Sequence, residues 1–234
     1  MVNIANKVAL VVGGASGIGA AIAQGLIRKG VEVVIADVQP AQIHLDVTSL
    51  DDWTAAVAEV ERLHGGLDLM VNTAGGGASG SIQDISLEDF ERTVRLNLTG
   101  TFLGIKTCFP AMRRREGGSI VNFASNLAVA AMPGIAPYSA SKAAVIQLSR
   151  VAALEGAPFK IRVNSVLPGI TRTPMTAVNL ANPDFAKLAV DPVPYGRAGE
   201  AHEVAAAALF LLSDEASYVT GTEITADGGL LASY

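Results

Sequence analysis

Tyr138 and Lys142 stand four residues apart in the run Tyr138-Ser139-Ala140-Ser141-Lys142, and Ser125 lies thirteen residues upstream at the end of an apolar stretch. Four residues is close to one helical turn, so on a helix the phenol and the ammonium share a face. A cation beside a tyrosine favours the phenolate and lowers a pKa that starts near about 10, which makes a proton donor and acceptor usable near neutral pH. The same spacing also occurs on solvated helix faces. The surrounding chain has to decide between the two readings.

A second group of residues has the chemistry of a phosphate cradle. The run Gly13-Gly14-Ala15-Ser16-Gly17-Ile18-Gly19 follows an apolar stretch and precedes a helical pattern. Glycines there let backbone N–H groups approach a pyrophosphate, and a helix N-terminus adds favourable positive potential. Asp37 closes the next apolar stretch, eighteen residues after Gly19. A carboxylate at that place can accept hydrogen bonds from both hydroxyls of an adenosine ribose and would repel a 2'-phosphate, which argues for NAD over NADP. Alternatively, Asp37 opens a turn before Pro40. Asp46 and Val47 are candidates to meet the adenine, although Asp46-Val47-Thr48-Ser49 is also a good helix start.

These residues must be held by a regular frame, and the pattern provides one. Short β-rich runs at 8–12, 32–36, 43–45, 69–72, 119–123, 162–166 and 223–225 alternate with helical stretches, as in a parallel sheet covered by helices on both faces. Ser49 with Asp52, and Ser86 with Asp89, resemble helix N-caps with an acidic third position. The helix carrying Lys142 should begin near Pro137 or Tyr138 and run to about Glu155, before Gly156 and Pro158. The segment rich in proline from Pro168 to Pro194 has little periodicity and reads as a binding loop or lid.

Bulk properties narrow the function. With 234 residues, 50% hydrophobic and 17% charged, the chain fits one α/β domain with a large core. A net charge of −5 and a pI near 5.2 give no footprint for nucleic acid or an anionic membrane. The Arg113-Arg114-Arg115 run reads as a helix end complementing the dipole. The single cysteine, Cys108, sits among Phe102, Leu103, Ile105 and Phe109 and reads as packing, which fits a cytoplasmic location. His44, His64 and His202 have no ligand spacing, and no metal site is expected. Neither a signal peptide nor a membrane span is expected.

The glycine turn, Asn72-Thr73-Ala74-Gly75, Asn97, Ser125, Tyr138, Lys142 and Pro168-Gly169 occur in this order. In this the chain resembles the short-chain dehydrogenases/reductases over essentially its whole length. The resemblance implies one NAD(P)-binding Rossmann-like domain over 1–234. Its doubly wound sheet would have about seven parallel strands in the order 3-2-1-4-5-6-7, with helices on both faces and a substrate loop at about 170–195. It implies that Gly13, Ser16, Gly17, Ile18 and Gly19 meet the pyrophosphate, Asp37 the ribose, and Asp46 and Val47 the adenine. Asn72, Ala74 and Gly75 would line the cofactor cleft, and Pro168, Gly169, Ile170 and Thr173 would meet the nicotinamide end. Asn97, Ser125, Tyr138 and Lys142 would form the catalytic tetrad, with a helix interrupted near Asn97. In that scheme Tyr138 is the general acid/base, Lys142 lowers its pKa and holds the nicotinamide ribose, and Ser125 hydrogen-bonds the substrate oxygen.

Val12 stands where the family usually has threonine and Thr73 where it has a second asparagine, so two supporting hydrogen bonds should be absent or rerouted. The stretch from Asp37 to Asp46 has room for a turn and not a helix, which should leave the adenine side of the cleft open. Asn126, Leu127, Ala131, Met132, Met175, Val178 and Leu180 are the substrate-facing candidates; Asn126, Met132 and Met175 lead them, and the set is mostly apolar. The expected activity is NAD-dependent interconversion of an apolar, cyclic or steroid-like secondary alcohol and its ketone. The alternatives are a 3-oxoacyl carrier-protein reductase and a catalytically silent dinucleotide-binding scaffold. Family members usually form tetramers, so a homotetramer is expected.

Overall fold

The structure is a computed structural model, and it describes residues 4–233. In chain order it comprises β1 (Val8–Val12), α1 (Gly17–Ile27), β2 (Glu32–Asp37), β3 (Ile43–His44), α2 (Leu50–His64), β4 (Leu69–Asn72), α3 (Leu87–Val94), a π turn (Arg95–Thr99) and α4 (Gly100–Arg114). These are followed by β5 (Gly118–Phe123), α5 (Ala136–Gly156), β6 (Ile161–Pro168), β7 (Thr171–Arg172), α6 (Pro174–Leu180), α7 (Pro183–Val190), β8 (Gly199–Glu200), α8 (Ala201–Leu212) and β9 (Glu223–Ala226).

The seven-stranded sheet is all parallel in the order β3-β2-β1-β4-β5-β6-β9. This is the expected order, with β9 as its seventh strand because β7 and β8 form a separate two-residue pair. Every residue of β1 is buried. Alternation along it splits the core in two: Val8, Leu10 and Val12 join the cluster with Trp53, Val60 and Met112 from α2 and α4, while Ala9 and Val11 join Ile22 and Leu26 of α1 and Leu211 of α8. A strand covered on both faces needs an unbroken apolar run, which Val8-Ala9-Leu10-Val11-Val12 supplies. Trp53 is fully buried; its indole N–H donates to Val47 O at 3.0 Å, so the largest side chain of the core leaves no unpaired donor.

Local signals set the helix starts. Ser49 and Ser86 accept from the backbone N–H of Asp52 and Asp89 respectively, as their spacing predicts. The arginine run at the end of α4 is fully employed: Arg113 lies over the Phe159 ring, Arg114 meets Glu61, and Arg115 meets Asp68. Helix α5 begins at Ala136, just ahead of Pro137, and ends at Gly156. The interruption expected near Asn97 is the five-residue π turn Arg95–Thr99 between α3 and α4.

One expectation is corrected in detail. The proline-rich segment after β6 is not an irregular loop but holds two short helices. Pro174 and Pro183 occupy the first helical positions behind the caps Thr173 and Asn182, where a missing N–H costs nothing. Neither α6 nor α7 contains a fully buried residue.

Candidate active site

The loops that leave the C-terminal ends of β1, β4, β5 and β6 converge, and they carry the residues singled out in the sequence. In parallel α/β sheets this is the edge where ligands bind. Gly13 leaves β1 at φ +75°, and a Cβ on it would lie 2.8 Å from Ala74 N; on Gly19 it would lie 2.2 Å from Gly13 O. The turn is therefore coiled too tightly for side chains. Thr73 reroutes a supporting hydrogen bond rather than losing it: its hydroxyl donates to Val12 O at 2.8 Å, with Gly13 O at 3.1 Å, and so ties the turn to the end of β4. Ser16 precedes α1 without a side-chain cap, and the first turn of α1 has no acidic residue. Its first amides are left as a donor set suited to an anion.

Asp37 reaches back to this turn and accepts from Ala15 N at 3.0 Å. Asp46 serves the helix start that its sequence also suggested: its Oδ1 accepts from Thr48 N and the Thr48 hydroxyl, and its own N–H donates to Asp52. Val47 is buried against Gly100. Asn72, on β4, donates to Thr101 Oγ1 at 3.4 Å and accepts from Ala74 N at 3.2 Å. On the far side, Gly169 N donates to Ala226 O, and Pro168 and Ile170 flank it half-buried. Thr173 lies over Gly17, 3.2 Å from where a Cβ there would be, so the start of α6 roofs the glycine turn.

Ser125, Tyr138, Lys142 and Asn97, the expected tetrad, are brought together. Ser125 is buried and near enough to the Tyr138 phenol to lower its pKa; its hydroxyl donates to Asn126 Oδ1 at 3.5 Å and accepts from Leu127 N at 3.2 Å. Lys142 lies 5.9 Å from the centroid of the Tyr138 ring, buried, with its ammonium donating to Phe123 O at 2.7 Å. Asn97 is completely buried in the π turn. Its side chain accepts from Gly76 N at 3.0 Å and donates to Gly76 O and to Ser141 Oγ, and Ser141 in turn donates to Tyr138 O at 2.8 Å. One asparagine thus fastens the loop after β4 to the helix turn that bears Tyr138 and Lys142.

The electrostatics correct the simple expectation for the tyrosine. Burial raises the Tyr138 pKa, and the nearby Ser125 hydroxyl only partly offsets this. Lys142, turned toward the Phe123 carbonyl, does not bring the phenol below its ordinary value. Burial also pushes the Lys142 ammonium down to about 8. Cys108, fully buried, has its thiol pushed up to about 12 and is inert packing, as its neighbours suggested.

The substrate-side candidates divide. Asn126 is buried beside Ser125 and Met132 is half-buried on the same loop, whereas Met175, 69% exposed, and Val178, 80% exposed, point from α6 to solvent. Sequence reasoning missed Ser141, Thr93 and a backbone clasp. Thr93 accepts from Ala78 N at 3.1 Å, and Gly80 N donates to Gly134 O at 2.8 Å, joining the loops after β4 and β5. Ser141 was within reach, since it lies three residues after Tyr138 on a helix; the clasp left no local signal. Among the described residues there is no cluster of histidine, cysteine or carboxylates able to hold a metal, and no helix is long and apolar enough to cross a membrane.

The family described as "Enoyl-(Acyl carrier protein) reductase" matches residues 13–231. The trans-4-hydroxycyclohexanecarboxylate dehydrogenase of Sinomonas cyclohexanicum is 39% identical, over 97% of this chain and 93% of its own. The cyclopentanol dehydrogenase of a Comamonas species is 39% identical, over 99% and 100%. A short-chain type dehydrogenase/reductase from Mycobacterium ulcerans superposes with a TM-score of 0.93 at 34% identity, covering 98% of this chain and 91% of that one. The chain belongs to the short-chain dehydrogenase/reductase family and is an oxidoreductase whose relatives use nicotinamide dinucleotides.

Proposed function

We propose that this protein is an NAD-dependent dehydrogenase that interconverts an apolar cyclic secondary alcohol, monocyclic or steroid-like, and its ketone. The observation that carries the reading is the meeting of buried Ser125, Tyr138 and a buried Lys142 5.9 Å from its ring, fastened by Asn97 through Ser141, at the strand ends that also present an uncapped glycine turn.

The residues fit a nicotinamide dinucleotide. The amides of Gly13, Ser16, Gly17, Ile18 and Gly19 would take the pyrophosphate, Asp37 the adenosine ribose, and Asp46 and Val47 the adenine. Asn72, Ala74 and Gly75 would line the cleft, Tyr138 and Lys142 would meet the nicotinamide ribose, and Pro168, Gly169, Ile170 and Thr173 the nicotinamide end. When bound, the cofactor gives or takes the hydride at the carbinol carbon. Tyr138 would take the hydroxyl proton during oxidation and return it during reduction. Ser125 would hydrogen-bond the substrate oxygen as charge develops there. Asn97 would hold Lys142 and Tyr138 in register through Gly76 and Ser141. Asp37 supports NAD over NADP through repulsion of a 2'-phosphate.

The substrate class rests on two supports. Residues 126–137 carry no charged side chain, and the relatives named above act on ring-bearing alcohols. A single domain, a homotetramer and a cytoplasmic location complete the proposal; exposed Phe102 on α4 and Val151 and Leu154 on α5 offer an apolar face for self-association. Absorbance of reduced nicotinamide, followed with NAD or NADP over a panel of cyclic alcohols and ketones, tests the reading. Turnover of cyclic alcohols with NAD is the expected result. Turnover confined to a 3-oxoacyl thioester with NADPH would replace it with the reductase reading, and no turnover at all with the scaffold one.

A further inference from the structure

Asp37 carries more of the local structure than reading a ribose requires. The chain crosses from β2 to β3 in only five residues, 38–42, and enters β3 with His44 in register beside Asp37. Parallel neighbours are usually joined by about a dozen residues or more, so a crossover this short must be held by hydrogen bonds. Three of them converge on one residue. Asp37 Oδ2 accepts from Ala15 N in the glycine turn, Oδ1 accepts from Gln39 N, and the Asp37 carbonyl accepts from Leu45 N, each at 3.0 Å. Gln42 closes the other end, its side-chain oxygen accepting from Ile35 N at 2.8 Å where a longer third strand would offer a carbonyl.

The glycine turn is thus fastened by two side chains from opposite sides: Thr73 on its carbonyls and Asp37 on its Ala15 amide. We propose that Asp37 is a positioning residue for the phosphate turn as well as the reader of the ribose, so that its oxygens, and not its charge alone, set dinucleotide affinity. This rests on the reading that the cleft takes a nicotinamide dinucleotide. It carries a consequence for cofactor choice. Deleting the carboxylate removes the repulsion of a 2'-phosphate but also releases the turn that must hold both forms of the cofactor.

Asp37→Asn and Asp37→Ser separate the two roles, because both remove the charge but only asparagine keeps an oxygen long enough to accept from Ala15 N. Calorimetric titration with NAD and with NADP measures affinity, and hydrogen exchange of segments 13–19 and 37–42 in the ligand-free protein measures the turn. The expected result is that Asp37→Asn gains about tenfold in NADP affinity and keeps slow exchange at 13–19. Asp37→Ser is expected to gain none, to lose about tenfold for NAD, and to exchange faster at 13–19. The proposal is overturned if the serine variant gains NADP affinity as fully as the asparagine variant with exchange at 13–19 unchanged. Should the unaltered protein bind neither dinucleotide, the cofactor reading falls, and the exchange comparison alone decides the turn-holding role.

Discussion

Burying Lys142 takes an ammonium out of water and gives it one hydrogen-bond acceptor, the Phe123 carbonyl at 2.7 Å, so desolvation depresses its pKa to about 8. An unfolded lysine titrates near about 10.4, so the folded state binds fewer protons between these two values and stability rises with pH across that window. Below about pH 8 the folded chain bears the whole cost of the buried charge. Lys142→Met should therefore melt several degrees above the unaltered protein at pH 7, by a difference on the order of 3 kcal/mol, and the gap should close toward pH 10.5. The same substitution should abolish turnover. Thermal melts at pH 7 and pH 10, with rates on the same samples, check both; equal melting temperatures at pH 7 would mean that the lysine is not buried as a cation. At this scale the sequence was legible in residue type and spacing but not in sign. Tyr138 and Lys142 do share a helix face, yet the phenol is raised because burial is a tertiary property and Lys142 turns to a carbonyl of another strand.

The elements around the site act by close approach. Gly75, after β4, passes between Asn97 of the π turn and Lys142 of α5, and a Cβ on it would stand 2.8 Å from both Asn97 Oδ1 and Lys142 Nζ. Gly75→Ala must displace one of them, and displacements of about 1 Å at a reacting centre cost about a hundredfold in rate. We expect kcat/KM to fall by about two orders of magnitude with the melting temperature lowered by only a few degrees, since the insult is local. Steady-state kinetics with melting curves test this; wild-type kinetics would show that the loop yields freely. Helix starts with side-chain caps were readable from sequence at Ser49 and Ser86 because the signal is local. Those at Thr173 and Asn182 were not, because the prolines behind them suggested breaks although a proline at the first helical position favours a start.

Across the whole molecule, the doubly wound sheet explains why residues from 13 to 173 meet. Strand β1 has β2 and β3 to one side and β4, β5, β6 and β9 to the other, so the winding reverses between β1 and β4, the place where ligands bind in sheets of this kind. The apolar runs located the strands, and the resemblance to the short-chain dehydrogenases/reductases made their order expected. The contacts that tune the site were hidden because they are nonlocal: Lys142 to Phe123 O, Asp37 to Ala15 N, and Gly80 to Gly134. On the proposed reading, proton transfer falls to Tyr138, with Ser125 beside it and Asn97 and Lys142 placing it. The direct test is Tyr138→Phe, which removes one hydroxyl and keeps the ring, measured as kcat for a cyclic alcohol with NAD alongside calorimetric NAD affinity. The account predicts a fall in kcat of about two to four orders of magnitude with NAD affinity within about threefold. A variant that turns over at the unaltered rate would contradict it.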